Sequence, residues 1–398
     1  MPAVRELTRE EELHWLALKM VPGLGMRRAA QLIQKFKSPE AVFQATTAEL
    51  EAAGMLGGLA RSISSGCSFE DGAVQQQRML DAGAALIPLT DARYPRTLRD
   101  IFDPPLVLFA RGRLELLARA AIGVVGTRRP TPYGLAAAER LSTDLARAGL
   151  TIASGMARGI DTAAHKAALA AGGDTVAVLG CGVDVIYPSE NRRLAAEIAA
   201  KGIILSEFPM GTSAFPQNFP IRNRIISGIS CALLVIEGAQ YSGSAITARL
   251  AMDQGREVFA VPGNITSPAS WGPNLLIKQG AHLCQDWNDI VVDLPAEVRL
   301  KLIDEGRQRI LGEGLASPAE SVDALDASLP TGPQRDICRR LLLLLQLDTP
   351  LHLDFLLESM DRTSGSEVIA ALFELEMSGL VRQSPGKNFV KVWGPNIG

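Results

Sequence analysis

The sequence predicts an α/β protein: a doubly wound parallel sheet, preceded by a small helical domain and followed by a winged helix. Three observations carry this prediction. From about residue 84 to 294, short continuous apolar runs alternate with glycine-rich turns and helical stretches, the pattern of strands buried on both faces and covered by crossover helices. Before that region, short helices follow one another without strand pattern. After it, beyond an Ala/Ser/Gly/Pro-rich segment, come three helical stretches and a two-strand hairpin. At 398 residues the chain exceeds one ordinary core. The expected domains are 1–80 (helical), 81–296 (sheet) and 333–398 (winged helix), with a linker over 297–332.

Taken in order, the helical segment contains Leu13 to Met20, Arg27 to Phe36, Ser38 to Gln44 and Thr47 to Ala53, the last two opened by Ser and Thr caps. Between the first two lies Val21-Pro22-Gly23-Leu24-Gly25, similar to a helix-hairpin-helix turn, whose glycines let backbone N–H groups approach a phosphate. Arg27 and Arg28 stand beside it; a plain interhelical turn in a SAM-like helical domain explains the same residues. The expected strands are Ala84 to Leu89, Leu106 to Ala110, Ala121 to Gly126, Thr151 to Ser154, Thr175 to Gly180, Ile203 to Glu207, Ala232 to Glu237, Glu257 to Val261 and Ala281 to Cys284. Helices Gly134 to Ala148, Asp161 to Ala171, Asn191 to Ala200 and Ala245 to Gln254 cover them. The tail reads as helices Gln334 to Gln346, Leu353 to Ser359 and Ser366 to Ser378, then strands Leu380 to Gln383 and Asn388 to Trp393.

Composition excludes several classes. Hydrophobic residues make up 47% and charged residues 21%, and no apolar run is long enough to span a bilayer. The first twelve residues hold four glutamates and no apolar h-region, so a cytoplasmic protein without membrane contact is expected. Five scattered cysteines, with no C-x-x-C pair, suggest buried free thiols rather than a disulfide framework or zinc site. His14, His165, His282 and His352 are too dispersed for a metal motif, and His165 reads as a helix residue satisfied locally. Forty basic against 43 acidic residues give a net charge of −3. Bulk charge therefore does not advertise nucleic-acid binding, and a binding groove would depend on where individual arginines stand.

Three turns at strand ends carry the candidate chemistry, because ligands of open α/β sheets sit beyond the C-terminal strand ends, at helix N-termini. The first is Gly126-Thr127-Arg128-Arg129-Pro130-Thr131-Pro132-Tyr133-Gly134, with Arg128 placed to meet a phosphate. The second is Ser154-Gly155-Met156-Ala157-Arg158-Gly159-Ile160-Asp161, with Asp161 a candidate cap for the next helix. The third is Ser242-Gly243-Ser244-Ala245-Ile246-Thr247, rich in hydroxyl and backbone donors. None is a dinucleotide fingerprint or a Walker A loop, so no cofactor is expected. A fourth stretch, Phe215-Pro216-Gln217-Asn218-Phe219-Pro220-Ile221-Arg222-Asn223-Arg224-Ile225-Ile226-Ser227-Gly228, reads as a loop leading toward a helix, suited to stacking a base on Phe219 with Arg or Asn on phosphate.

In order along the chain, Gly126-Thr-Arg, Ser154-Gly-Met-Ala-Arg-Gly-Ile-Asp, Leu179-Gly-Cys-Gly-Val-Asp, Tyr187-Pro-x-x-Asn191, Ser206-Glu-Phe-Pro, Asn218-Phe-Pro-x-Arg-Asn-Arg-Ile-Ile-Ser, Ser242-Gly-Ser-x-x-Thr-Ala-Arg and Val261-Pro-Gly-Asn resemble the DprA/Smf family. The resemblance covers the central domain; the helical start and winged-helix tail fit a layout seen in that family. It implies an extended Rossmann-like domain, a homodimer, protection of incoming single-stranded DNA and loading of the RecA recombinase during natural transformation, with no catalysis. Carried onto this sequence, it places Arg128 on phosphate and Phe219 under a base. Arg222, Asn223 and Arg224 would shape the loop, and Gly155, Gly243 and Ser244 would act as donors. Gly126, Thr127, Ser154, Arg158, Asn218, Ser242 and Thr247 complete the expected DNA site. Many relatives have a basic residue just before Asn-Phe-Pro; here stands Gln217, which predicts a shallower salt dependence.

The rival reading is a nucleotide phosphoribohydrolase, whose hydroxyl-rich turn ends in a catalytic carboxylate. This chain has Arg249 there, and a guanidinium does not titrate in the range an acid/base needs. Ser154, Asp161 and His165 follow the chain order of a hydrolase triad, yet lie within twelve residues and lack G-x-S-x-G. A third class, an adaptor with an inert core, draws on the tail. Its expected recognition helix carries Glu367, Glu374 and Glu376 and no Lys or Arg, so this winged helix is expected to bind protein, or to touch DNA only through Arg382, Lys387 and Lys391.

Overall fold

The computed structural model describes residues 7–240, 242–303, 334–345, 350–360, 363–378, 380–384 and 386–391. The chain forms two compact units, Met1–Leu294 and Pro295–Gly398.

In the first unit six helices come before the sheet: α1 (Arg9–Met20), α2 (Met26–Phe36), α3 (Pro39–Gln44), α4 (Thr47–Ala52), α5 (Gly57–Ser64) and α6 (Phe69–Asp81). Capping boxes at Thr8 and Thr46 start α1 and α4. The sequence reading missed α5 and α6. α5 opens on two glycines, poor helix formers, while α6 carries Gly72 where it crosses α1: a Cβ there would lie 3.0 Å from the Ala17 backbone nitrogen. These helices do not stand apart from the sheet. Leu16, Leu32 and Ile63 share one core with Phe109, Leu179 and Ile204. Arg27, expected beside a phosphate-binding turn, stacks its guanidinium on the Phe102 ring at 4.5 Å.

The sheet strands are β1 (Ala85–Pro88), β2 (Val107–Gly112), β3 (Ala121–Gly126), β4 (Thr151–Ser154), β5 (Thr175–Val178), β6 (Ile203–Ser206), β7 (Ser230–Ile236), β8 (Glu257–Ala260) and β9 (His282–Leu283), in the order β1-β2-β6-β5-β4-β3-β7-β8-β9. Strands β3 to β9 are parallel, as expected of a doubly wound sheet; β1 and β2 depart from this, since β2 pairs antiparallel with both β1 and β6. The β1–β2 connection contains only α7 (Arg96–Arg99) and returns the chain at the end it left, whereas parallel pairing needs a crossover to the opposite end. Helices α8 (Pro132–Arg147), α9 (Ile160–Ala170), α10 (Arg192–Lys201), α11 (Asn218–Ile229), α12 (Gly243–Asp253), α13 (Trp271–Lys278) and α14 (Trp287–Asp293) cover the faces. In the Phe215–Gly228 stretch the helix begins earlier than the expected loop allows: Asn218 to Gly228 already belong to α11. α13 and α14 escaped prediction, the former because Trp271-Gly272-Pro273 reads as a turn.

The thiols of Cys181, Cys284 and Cys338 are buried, but Cys67 is exposed and Cys231 half-buried. His165, expected to be satisfied locally, reaches from α9 to Thr175 on β5. Its Nδ1 lies 2.7 Å from the Thr175 hydroxyl, and its buried Nε2 has no partner among the described residues. Burial, with the Arg222 charge adding to it, pushes the imidazole pKa down to about 3. An unfolded histidine titrates near 6.5, so between these values the unfolded chain binds a proton that the native one refuses. This stability is complete above about pH 6.5 and is lost as the pH falls toward 3. At pH 5 the loss amounts to about 2 kcal/mol. Urea unfolding at pH 7 and pH 5 should show that difference in the wild type and lose it in His165→Gln; equal pH sensitivity of the two would exclude this account.

Residues 296–303 are helical, where the sequence predicts the start of a linker; the rest of that linker lies outside the described residues. The second unit contains α15 (Arg335–Leu344), β10 (Leu351–His352), α16 (Leu353–Ser359), α17 (Gly365–Met377), β11 (Val381–Ser384) and β12 (Asn388–Lys391). β10 adds a third strand to the expected hairpin, in the order β10-β12-β11. Lys391, one of the three wing residues through which this unit is expected at most to touch DNA, donates to the Leu342 carbonyl at 3.3 Å, and burial lowers its pKa.

Candidate nucleic-acid interface

The strand order sets the C-terminal ends of β5, β4, β3 and β7 side by side, so the turns after them form one edge. Glycines make close approach possible there. A Cβ on Gly126 would lie 2.0 Å from the Ile236 carbonyl oxygen, and one on Gly159 2.4 Å from that of Thr127. Thr131 caps α8, its hydroxyl accepting from the Gly134 N–H at 3.2 Å. In turn, the Thr131 N–H donates to the Glu237 carboxylate at 2.8 Å, and its hydroxyl donates to the other carboxylate oxygen. Glu237, buried at the end of β7, thereby occupies the helix N-terminus next to the β3–β7 crossover point, where a Rossmann dinucleotide would seat its pyrophosphate. The first turn is closed to an anion at that point.

The second turn is held from three directions. Ser154 is fully buried and donates to the Val124 carbonyl at 2.6 Å. Asp161 does not cap α9, since Gly159 occupies that position. Its carboxylate reaches back to accept from the N–H groups of Gly155 at 3.1 Å and Ala157 at 3.4 Å. Met156, at φ 57°, takes a left-handed conformation unfavourable for a side chain with a Cβ. Asn191 holds it there, donating to the Met156 carbonyl at 2.9 Å and the Thr162 hydroxyl at 2.8 Å.

α11 enters this edge at Asn218, whose side-chain amide donates to the Gly180 carbonyl at 3.0 Å. Gly180 lets the Phe219 ring lie on the turn: a Cβ there would be 3.0 Å from the ring. The ring lies 5.6 Å from that of Tyr187, with the guanidinium of Arg128 at 5.4 Å and that of Arg222 at 5.8 Å. Arg128 is exposed; Arg222 is buried, donating to the carbonyls of Gly155 at 2.6 Å and Val178. Burial lowers the Arg222 pKa to about 10, with the facing Asp161 charge opposing that shift, so the guanidinium stays charged at neutral pH.

The result is an open cleft of about 410 Å3, solvent-filled mouth included, lined by Arg128, Gly155, Arg158, Gly180, Tyr187 and Phe219 among others. Four of the expected DNA residues therefore meet in one place. Gly126 and Thr127 stand half-buried in the turn before Arg128, outside the cleft lining, and Gln217 is exposed just before α11. Others are turned inward. Arg224 is buried between Glu207 at 2.8 Å and Asp103 at 2.9 Å; Asn223 reaches the Gly243 carbonyl at 3.5 Å; Thr247 and Ser244 are buried, bonded to Gly243 and Ser242. Ser242 caps α12 and Gly243 is exposed. Sequence reasoning missed the cleft roles of Tyr187, Gly180 and Asn191, though all three stand in the motifs quoted above. Glu237 gave only the signal of an acid closing an apolar strand. Arg249, which replaces the hydrolase carboxylate, is exposed on α12.

Residues 85–295 match the family described as DNA recombination-mediator protein A, and residues 326–387 match the DprA winged helix domain. The chain is 46% identical to the DNA processing protein DprA of Bacillus subtilis over 54% of its own length and 73% of that protein's. It is 34% identical to Protein Smf of Synechocystis over 96% of its length and 99% of that protein's. The crystallographic structure of DprA from Streptococcus pneumoniae superimposes with a TM-score of 0.65 at 32% identity, covering 73% of this chain and 99% of that one. The chain belongs to the DprA/Smf family of DNA-processing proteins, non-enzymatic mediators of recombination.

Proposed function

We propose that the cleft at the ends of β3, β4 and β5 binds single-stranded DNA, with Phe219 stacking a base and Arg128 and Arg158 meeting phosphates. Gly155 lets the backbone approach, while Arg222, Asn223 and Asn218 hold the aromatic ring in position. The observation that carries this reading is Arg128: an exposed guanidinium over an aromatic ring, the pairing of π-face and cation that tracks a strand without reading its sequence. Ser242, Gly243 and the buried hydroxyls of Ser244 and Thr247 shape the neighbouring wall. In the same reading the protein is a cytoplasmic homodimer that protects incoming strands and hands them to RecA. Family membership supports these steps.

The test is a salt titration of oligothymidylate binding. Each phosphate contact on a single strand contributes about 0.7 to the slope of log K against log salt. Arg128→Ala should make the slope shallower by that amount, and Gln217→Lys should make it steeper by as much. An unchanged slope and affinity for Arg128→Ala would place the DNA elsewhere.

A further inference from the structure

Helix α17 occupies the position from which a winged helix inserts into a DNA groove, yet its outward face is unsuited to that use. Val368, Ala371, Leu372 and Leu375 point inward and pack with Cys338, Leu341, Leu356 and Phe389, so among the described residues this side of the helix supplies its share of the unit's core. On the opposite side Ile369, Phe373 and Met377 are 52%, 63% and 74% exposed. Spaced four residues apart, they form one ridge about 12 Å long on a helix rising 1.5 Å per residue. At 100° per residue, Glu367 and Glu374 fall along one side of that ridge and Glu376 along the other. The helix carries no lysine or arginine. A phosphate backbone would meet carboxylates and exposed hydrocarbon, the reverse of what DNA binding requires.

We propose that this ridge is a docking surface for a basic amphipathic helix of a protein partner: aliphatic side chains at helical spacing pack on Ile369, Phe373 and Met377, and flanking lysines or arginines face Glu374 and Glu376. Charge complementarity selects this occupant. A second copy of α17 would bring its own carboxylates against these, and like charges across an interface disfavour such pairing. The ridge length matches two to three turns of a partner helix, the scale of helix recognition through anchors at i, i+4 and i+7. This inference is independent of the single-strand cleft.

The test uses the full chain and a labelled, designed 18-residue helix with one leucine stripe flanked by lysines, against a scrambled peptide of the same composition. Fluorescence anisotropy should show the amphipathic peptide binding more tightly than the scrambled one. Phe373→Ala should weaken it by about tenfold or more, as expected of an aromatic anchor, and Glu374→Gln/Glu376→Gln should weaken it while flattening its salt dependence. Because Phe373 is exposed, unchanged thermal unfolding of Phe373→Ala serves as the folding control. Equal peptide binding by wild type and Phe373→Ala would overturn the proposal. Two further results would also overturn it: loss of duplex DNA affinity in Phe373→Ala, which would make the ridge a DNA contact, or a concentration-dependent oligomer dissolved by Phe373→Glu, which would make it a self-association face.

Discussion

Arg222→Met is expected to destabilise the first unit by about 3–5 kcal/mol, the usual loss when one member of a buried charged arrangement is removed. Methionine keeps most of the volume but removes the Nη1 group that donates to both carbonyls and the Nε–H that donates to the Asn223 side chain, leaving the buried carbonyls of Gly155 and Val178 short of their partner. It also removes the charge facing Asp161, a fully buried carboxylate whose pKa burial already raises. The sign of the pH dependence follows. A carboxyl with a folded pKa above its unfolded value near 4 takes up protons on folding, so its charged form costs more stability as the pH rises. Without Arg222 that folded pKa climbs further, and the deficit of the variant should widen from about pH 4 upward. Urea unfolding across pH 5 to 8 measures this. Asp161→Asn in the Arg222→Met background should abolish the widening, since an amide has no charge to desolvate. A deficit below about 1 kcal/mol, or one constant with pH, would mean that Arg222 is not the strut of this edge.

Arg222 also marks where the sequence is legible and where it is not. All nine strands of the first unit are visible in the sequence, most of them as apolar runs, because strands buried on both faces must be apolar throughout; β9, whose two residues are exposed, departs from this. Their ends shift by one or two residues, as at β5 and β9. The direction of β1 and β2 is not written in their composition, since an apolar run reads the same in either orientation. Helices are lost where glycine or proline stands inside them: Gly72 packs on α1 and Gly272, before Pro273 in α13, on the Gly238 carbonyl, whereas Gly57-Gly58 opens α5 with no packing need at Gly58. At the site, glycine-rich turns and arginines announce an edge that can meet anions. Whether an arginine is a contact or a brace depends on burial, and Arg128 and Arg222 differ in the structure far more than in their sequence surroundings. Glu237 shows the same limit: an acid at a strand end, legible as polar, whose closure of the α8 N-terminus depends on β7 lying beside β3.

Phe219→Ala should cost about 1–3 kcal/mol in single-strand affinity, the range found when a base-stacking ring is removed, or roughly 5- to 150-fold in Kd. The ring stands between Tyr187 and two guanidinium groups, on a turn that Gly180 leaves bare. It is thus fixed before DNA arrives and loses little freedom on binding, the condition under which an aromatic contact contributes most. The loss should be nearly independent of salt, because stacking releases no counterions, whereas the loss in Arg128→Ala should shrink as salt rises. Phe219→Tyr should retain most of the affinity, since stacking needs the π-face rather than the phenyl identity. The two residues should not act independently: Arg128 rests on the ring, so removing Phe219 also releases the guanidinium, and Arg128→Ala/Phe219→Ala should cost less than the sum of the two single changes. If Phe219→Ala binds oligothymidylate as the wild type does while Arg128→Ala is impaired, the ring is only a wall, and the strand passes over the rim of the cleft without entering it.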